Sequence, residues 1–136
     1  MAFNYFVIGS GSIGHRHVDN LLALGANVTH HSWRGINLNQ LLGDIRSCEG
    51  QAAVVIATAT KVRLPLILDC AATGAALYIE KPVAYRTSDI AKIFNLDHSI
   101  LERSVAGFMM RYHPMIEKLF NTKVDGIFRA SFEIGH

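Results

Sequence analysis

Three glycines near the amino terminus are the first residues whose types and spacing point to chemistry. The stretch GSGSIG places Gly9, Gly11 and Gly14 in a G-x-G-x-x-G pattern. It follows the apolar run NYFVIG and opens the segment SIGHRHVDNLLALG. That context gives the pattern its meaning. A strand feeding such a turn into a helix aims the free N–H groups and positive dipole end of the helix at an anion. A diphosphate suits the spacing. Gly9 permits the tight turn, Gly11 lacks a Cβ and lets a pyrophosphate approach the backbone, and Gly14 lets helix and strand pack closely. Ser12 can add a hydroxyl donor, and Ile13 completes the set expected to hold the pyrophosphate. The alternative is a strand–helix turn that holds no ligand.

A second test lies about 20 residues on, where an Asp or Glu at the end of the next strand would hold the ribose hydroxyls of NAD. The sequence there is THHSWRG, with no carboxylate. Ser32 and Arg34 suit a 2′-phosphate instead, and Trp33 or Arg34 can stack on adenine. The balance favours NADP over NAD. Arg34 can also be read as a solvated loop arginine, and His30 and His31 as strand-end residues.

The elements that must position these residues follow from periodicity. NYFVIG is a buried strand, and the segment after it is a helix with Ile13, His17, Leu21 and Leu24 roughly on one face and Gly25 as its stop. ANVTHH is a short second strand. NLNQLLGDIRS spaces Leu38, Leu41, Leu42 and Ile45 at helical intervals behind Asn37, a plausible N-cap. AAVVIAT is a central strand, LPLILDCAATG a helix with Pro65 in its first turn, and AALYIE a fourth strand. TSDIAKIFNL reads as a helix capped by Thr87 or Ser88, SVAGFMM as a strand, and HPMIEKLF as a short helix started by Pro114. Its Met115, Ile116, Leu119 and Phe120 can cover an apolar surface. Strands alternating with helices predict an α/β fold, a doubly wound parallel sheet of the Rossmann type. Such a sheet carries its ligand crevice at the carboxyl ends of its strands.

Composition narrows the function classes. Half of the 136 residues are hydrophobic and 18% are charged, which describes a soluble globular chain. A net charge of +2, without a basic run, argues against nucleic acid. Cys48 and Cys70 do not form a disulfide framework and suit a reducing cytoplasm. The seven histidines include no cluster at metal-ligand spacing with cysteine, so no metal site is expected. No apolar run approaches the length of a membrane span. A cytoplasmic location follows.

With the glycine turn, two further stretches point to one family. VVIATATKVRLPLILDCAATGAALYIEKPVA and GFMMRYHPMIEKL resemble the glucose–fructose oxidoreductase / inositol dehydrogenase / MocA (Gfo/Idh/MocA) family, and GSIGHRHVDNL resembles its first turn and helix. The resemblance implies a dinucleotide-binding domain of an NAD(P)-dependent oxidoreductase acting on a sugar, polyol or sugar derivative. Glu80-Lys81-Pro82 matches the family's EKP motif. By that resemblance Lys81 lies near the nicotinamide ribose and the substrate hydroxyl, as the catalytic cation, next to a Lys–Pro bond that is often cis. A cation there stabilises the alkoxide character that develops as hydride leaves carbon. Glu80 and Pro82 are carried over with it as cofactor-site residues. Ala57, Thr58 and Thr60 match the stretch lining the nicotinamide cleft, and His17 matches a histidine three residues beyond the last glycine. Arg111 and His113 match the segment that opens towards substrate. Ala59 and Arg63 depart from the family, which usually has proline and histidine at those places. Met109 and Met110 stand where asparagine is common, and the stretch between the second strand and NLNQLL is short.

The last residues, GIFRASFEIG, alternate apolar and polar as a half-buried strand does. The expected organisation is a dinucleotide-binding domain over 1–122 and, over 123–136, the first strand of a second α/β domain that the chain does not contain. On that reading the chain alone lacks full activity. A non-catalytic nucleotide-binding or self-associating module is the alternative. An uncovered strand bearing Phe128, Phe132 and Ile134 can template a symmetric homodimer worth roughly 5 kcal/mol before ordering costs.

Overall fold

The computed structural model describes residues 3–122. The expected strand and domain boundary at 123–136 lie outside the described residues.

Five parallel strands form one sheet: β1 (Asn4–Ile8), β2 (Asn27–His31), β3 (Ala52–Ile56), β4 (Ala76–Ile79) and β5 (Val105–Ala106), in the order β2-β1-β3-β4-β5. Helices α1 (Ser12–Ala23), α2 (Leu38–Ser47) and α3 (Arg63–Ala71) make the first three crossovers. Helices α4 (Thr87–Phe94) and α5 (His98–Glu102) make the fourth, and α6 (Pro114–Asn121) follows β5. This is the doubly wound α/β fold, and its strand order reverses between β1 and β3. Registers are continuous across the middle of the sheet: Phe6 lies opposite Thr29 on one side and Val54 on the other, and Val54 lies opposite Leu77.

The pleat sorts side chains to two faces. Phe6, Ile8, Val54, Ile56, Leu77 and Ile79 point to one face, where Leu41, Leu42 and Ile45 of α2 and Leu66, Ile67 and Cys70 of α3 meet them in a single core. Each fully buried aliphatic side chain there contributes roughly 2 kcal/mol. Burial also pushes the Cys70 thiol up to about 12, with Asp69 adding to it, so this cysteine behaves as a small hydrophobe. On the opposite face His17 and Leu21 of α1, with its C-cap Leu24, line a cavity of about 240 Å³ together with Tyr5, Val55 and Tyr78.

Asn37 caps α2 by accepting the Gln40 N–H at 3.2 Å. Three expectations need correction. Helix α4 begins at Thr87 with Arg86 as its N-cap and no side-chain cap bond, so Thr87 and Ser88 lie inside the first turn instead of capping it. The segment SVAGFMM is strand only at Val105–Ala106. Gly107 packs so close to Tyr78 that a Cβ would stand 2.8 Å from its Oη, and the Phe108 N–H folds back to the Ala106 carbonyl at 2.8 Å. That tight turn ends the strand. Helix α5 has no counterpart in the sequence reading; Asp97 caps it through the Ser99 N–H at 2.8 Å, and Ile100 buries into the core.

Candidate dinucleotide-binding site

Backbone hydrogen bonds continue one step beyond the strand ends and gather the glycine turn, the β3 exit and the EKP segment along one edge. The Gly9 N–H donates to His31, the Ala57 N–H to Ile8 and the Glu80 N–H to Ile56, at 2.9, 2.9 and 3.1 Å. The edge is the carboxyl end of the sheet, at the point where strand order reverses, the place where such folds hold ligands.

The three glycines differ in what they face. Gly9 has φ +136, and a Cβ on it would stand 2.5 Å from the Ala57 carbonyl oxygen. A Cβ on Gly14 would stand 1.9 Å from the Gly9 carbonyl oxygen. Neither position tolerates a side chain, because both neighbours are backbone. A Cβ on Gly11 would meet no protein atom within 4 Å. Packing therefore gives no reason for glycine at 11, and the space above it is open. Gly11 is also the N-cap of α1 and supplies no side-chain cap to the amides of Ser12, Ile13 and Gly14. These amides belong to the helix turn whose N–H groups have no intrahelical acceptor. Ser12 and Ile13 are exposed at the same rim.

Around the turn, the Ser10 and Ser32 hydroxyl oxygens are 3.2 Å apart, which joins the loop to the end of β2. His30 Nε2 donates to the Gly9 carbonyl at 2.9 Å, and the His15 ring meets the His30 ring edge-on at 4.9 Å. His30 is thus a prop for the turn as well as a strand-end residue. Ser32 and Arg34 border a polar cavity of about 380 Å³ with Gln40 and Asp44. Trp33 is half-buried and packs against the core. Asp44 brings from α2 a carboxylate that the strand end itself lacks. His31 stacks on Phe6, with ring centroids 6.4 Å apart. Its imidazole is pushed below the usual histidine range by burial, and the Asp44 charge opposes the shift.

The other side of the crevice is built from the exits of β3 and β4. Ala57 touches the glycine turn. Thr58 is buried, with its Oγ1 lacking a partner, and Thr60 starts a single 3-10 turn (Thr60–Val62). Arg63, the first residue of α3, is only 3% exposed, and its two terminal nitrogens donate to the carbonyls of Thr58, Glu80 and Pro82. Burial pushes its guanidinium down, and the Glu80 charge opposes that. The Lys81–Pro82 bond is cis. Glu80 is buried, with one carboxylate oxygen 2.8 Å from His17 Nε2 and the other accepting the Lys81 N–H at 3.2 Å. The His17 ring in turn meets Tyr78 edge-on at 4.9 Å. Burial, then the Glu80 charge, pushes the Tyr78 hydroxyl up. Both Glu80 oxygens are therefore committed to protein partners, whereas the Lys81 side chain is exposed and Pro82 is exposed beside it.

Arg111 lies on an exposed 3-10 turn (Met109–Tyr112), and His113 Nδ1 accepts the Met115 N–H at 3.2 Å as the N-cap of α6. Sequence reasoning missed the Arg63 contacts, the His17–Glu80 bond and the His30 prop. Each partner is a backbone carbonyl or a residue 63 positions away, which leaves no local signature.

Whether a dinucleotide suits these residues can be judged from the cradle. Open space over Gly11 and the uncapped amides opening α1 are the clearance and donor set that a diphosphate requires. The residues fit.

No family model and no curated protein sequence matches the chain. Solved structures do. The WlbA (WbpB) dehydrogenase from Thermus thermophilus, in complex with NAD and UDP-GlcNAcA, superposes with a TM-score of 0.68 at 17% identity over 86% of this chain and 45% of its own. UDP-N-acetylglucosamine 3-dehydrogenase GnnA from Acidithiobacillus ferrooxidans gives 0.66 at 21% identity over 88% and 43%. Myo-inositol 2-dehydrogenase from Lactobacillus plantarum gives 0.62 at 16% identity over 88% and 40%. The likeness shows the fold. The chain spans less than half the length of each of these neighbours.

Proposed function

We propose that residues 1–122 are the dinucleotide-binding domain of an NAD(P)-dependent oxidoreductase of the Gfo/Idh/MocA type. Its substrate would be a sugar, polyol or sugar derivative, and residues 123–136 would begin the substrate domain. The observation that carries this reading is the contrast within the glycine turn. Gly9 and Gly14 are required by packing and Gly11 is not, which leaves the space over the start of α1 clear for a diphosphate. The UDP-N-acetylglucosamine 3-dehydrogenase, the NAD-bound WlbA dehydrogenase and the myo-inositol 2-dehydrogenase among the structural neighbours support the same reading.

The amides of Ser12, Ile13 and Gly14 hold the pyrophosphate. Ser32 and Arg34 meet the adenosine ribose and favour a 2′-phosphate, hence NADP. Ala57, Thr58 and Thr60 line the nicotinamide side. The nicotinamide, when bound, supplies the hydride donor or acceptor. Lys81 reaches the substrate oxygen and stabilises its developing negative charge. Glu80, bound to His17 and to the Lys81 amide, fixes the segment from which Lys81 projects. Half-buried Cys48 and buried Cys70 carry free thiols, which supports a reducing, cytoplasmic setting.

Calorimetric titration of the chain with NADPH and NADH tests this. Binding of either, with NADPH tighter, is expected, with quenching of Trp33 fluorescence. Silence with both removes the proposal, and tighter NADH removes the assignment of Ser32 and Arg34.

A self-associating module is supported by one separate feature. On α6, Met115, Leu119 and Phe120 are exposed, and no residue of that helix is buried. A homodimer mass in solution scattering is the expected result. A monomer at every concentration up to about 1 mM excludes it.

A further inference from the structure

Arg63 lies under the crevice, out of reach of any ligand, yet it touches both of the crevice's walls. One terminal nitrogen donates to the carbonyls of Glu80 and Pro82, and the other to the carbonyl of Thr58. Thr58 leaves β3, while Glu80 and Pro82 leave β4 and flank Lys81 on either side. The Lys81 N–H is itself held by the Glu80 carboxylate. The backbone of Lys81 is thus anchored at its amide and at both adjoining residues, and only its exposed side chain is free to reach. A guanidinium presents its donors as a rigid planar fork, which suits carbonyls that arrive from two directions. A lysine, as a point charge on a flexible stem, cannot hold all of them in one plane. No other side chain among the described residues donates to the Thr58, Glu80 or Pro82 carbonyl, so removing the guanidinium leaves those acceptors without that donor.

We infer that Arg63 is a positioning residue for the nicotinamide half of the site: it fixes the Thr58 wall against the Lys81 wall and so sets where Lys81 stands over the cofactor. The inference rests on the dinucleotide reading and adds a division of labour to it. The glycine turn holds the diphosphate independently, because its contacts are with Ala57, His30 and His31, and Arg63 hydrogen-bonds to none of these. Arg63 governs only what lies beyond the diphosphate.

ADP-ribose against NADH, and 2′-phospho-ADP-ribose against NADPH, separate the two halves, since each matched pair differs only in the nicotinamide. The full chain and its Arg63→Lys and Arg63→Ala variants are titrated with these four ligands by calorimetry, with thermal melts alongside. The wild type is expected to bind the better dinucleotide at least tenfold more tightly than its matched ADP-ribose. In both variants ADP-ribose affinity stays within about twofold while that tenfold advantage is lost, more completely in Arg63→Ala. If the dinucleotide keeps its advantage in both variants, or has none in the wild type, the inference is wrong and the dinucleotide reading stands. If the wild type binds none of these ligands, both fail. If ADP-ribose binding falls in step with dinucleotide binding in Arg63→Lys, or neither variant folds, the residue is structural only and the inference is overturned. Arg63→Lys decides the matter should Arg63→Ala alone unfold.

Discussion

The two ends of the described chain use apolar residues in opposite ways. From β1 to β4, Ile8, Leu41, Ile45, Val54, Ile56, Leu66 and Ile67 are essentially sealed from solvent. From Phe108 to Phe120, seven large side chains (Phe108, Met109, Met110, Tyr112, Met115, Leu119 and Phe120) are exposed, Phe120 at 81%. Both stretches show helical or strand periodicity in the sequence. Periodicity states that a face is apolar; it does not state what covers it. In the first region the parallel sheet supplies the cover, because each right-handed crossover returns its helix to the strands it joins. In the second, α6 follows the edge strand β5, and among the described residues no strand or helix buries it.

The contrast can be broken most severely at Gly14. A methyl group there would overlap the Gly9 carbonyl, which cannot withdraw because Gly9 is itself pressed on Ala57. Gly14→Ala should therefore cost about 4 kcal/mol or more, in the range reserved for steric faults at special backbone positions. Urea unfolding would show loss of the cooperative transition or a large fall in its midpoint. Gly11→Ala is the matched control, with φ −82 and no atom within 4 Å of the new Cβ. It should stay within about 1 kcal/mol of wild type and yet lose at least tenfold in dinucleotide affinity. Equal destabilisation by both substitutions would end the distinction between packing glycines and a ligand glycine.

A direct comparison of the two regions pairs Leu66→Ala with Phe120→Ser. Leu66 is fully buried between α3 and the sheet, and truncating such a leucine costs about 2–5 kcal/mol through lost transfer energy and the cavity left behind. Phe120 has little to lose, so its replacement should leave the unfolding free energy within about 0.5 kcal/mol. Both are measured at protein concentrations low enough to keep the chain monomeric, where a destabilisation of Phe120→Ser comparable to that of Leu66→Ala would mean that α6 is covered within one chain.

The same contrast explains what could be read from the sequence. The strands β1 to β4 and the helices α1 to α3 were legible because their apolar spacing coincides with the face the sheet buries. Asn37 was legible as a cap because its side chain acts within three residues. Helix α5 was not: its five residues are too few to show a helical period, and Asp97, which caps it through the Ser99 N–H, was the one local sign of it. The cap at α4 was misplaced by one residue type, since Thr87 and Ser88 are good capping residues that the fold places one step too late. In the site, the glycine turn and the EKP segment were visible as types at a spacing. The Arg63 fork was not, because its acceptors are backbone carbonyls, which every residue possesses. Asp44 escaped for a related reason: a carboxylate was sought at the end of β2, and α2 brings this one to the lining of the same cavity.

The smallest effect lies where the well-packed region meets the crevice. The His31 ring stacks on Phe6, and its Nε2 is buried without a partner. Burial lowers its affinity for a proton, His30 adds to that, and Asp44 counteracts both. A histidine whose folded pKa lies below its unfolded value of 6.5 stabilises the fold fully above pH 6.5. That contribution is lost as pH falls through the folded value, because the unfolded chain takes up the proton more readily. His31→Phe keeps the stacking and removes the titration. Urea midpoints of wild type and His31→Phe should therefore run parallel from pH 8 to about 7 and separate below about 6.5, with wild type falling faster. Asp44→Asn should widen the separation, since it withdraws the carboxylate that favours the imidazolium. Curves that stay parallel to pH 5 would place His31 in water, and the edge of the core would then have to be drawn at Phe6 rather than beyond it.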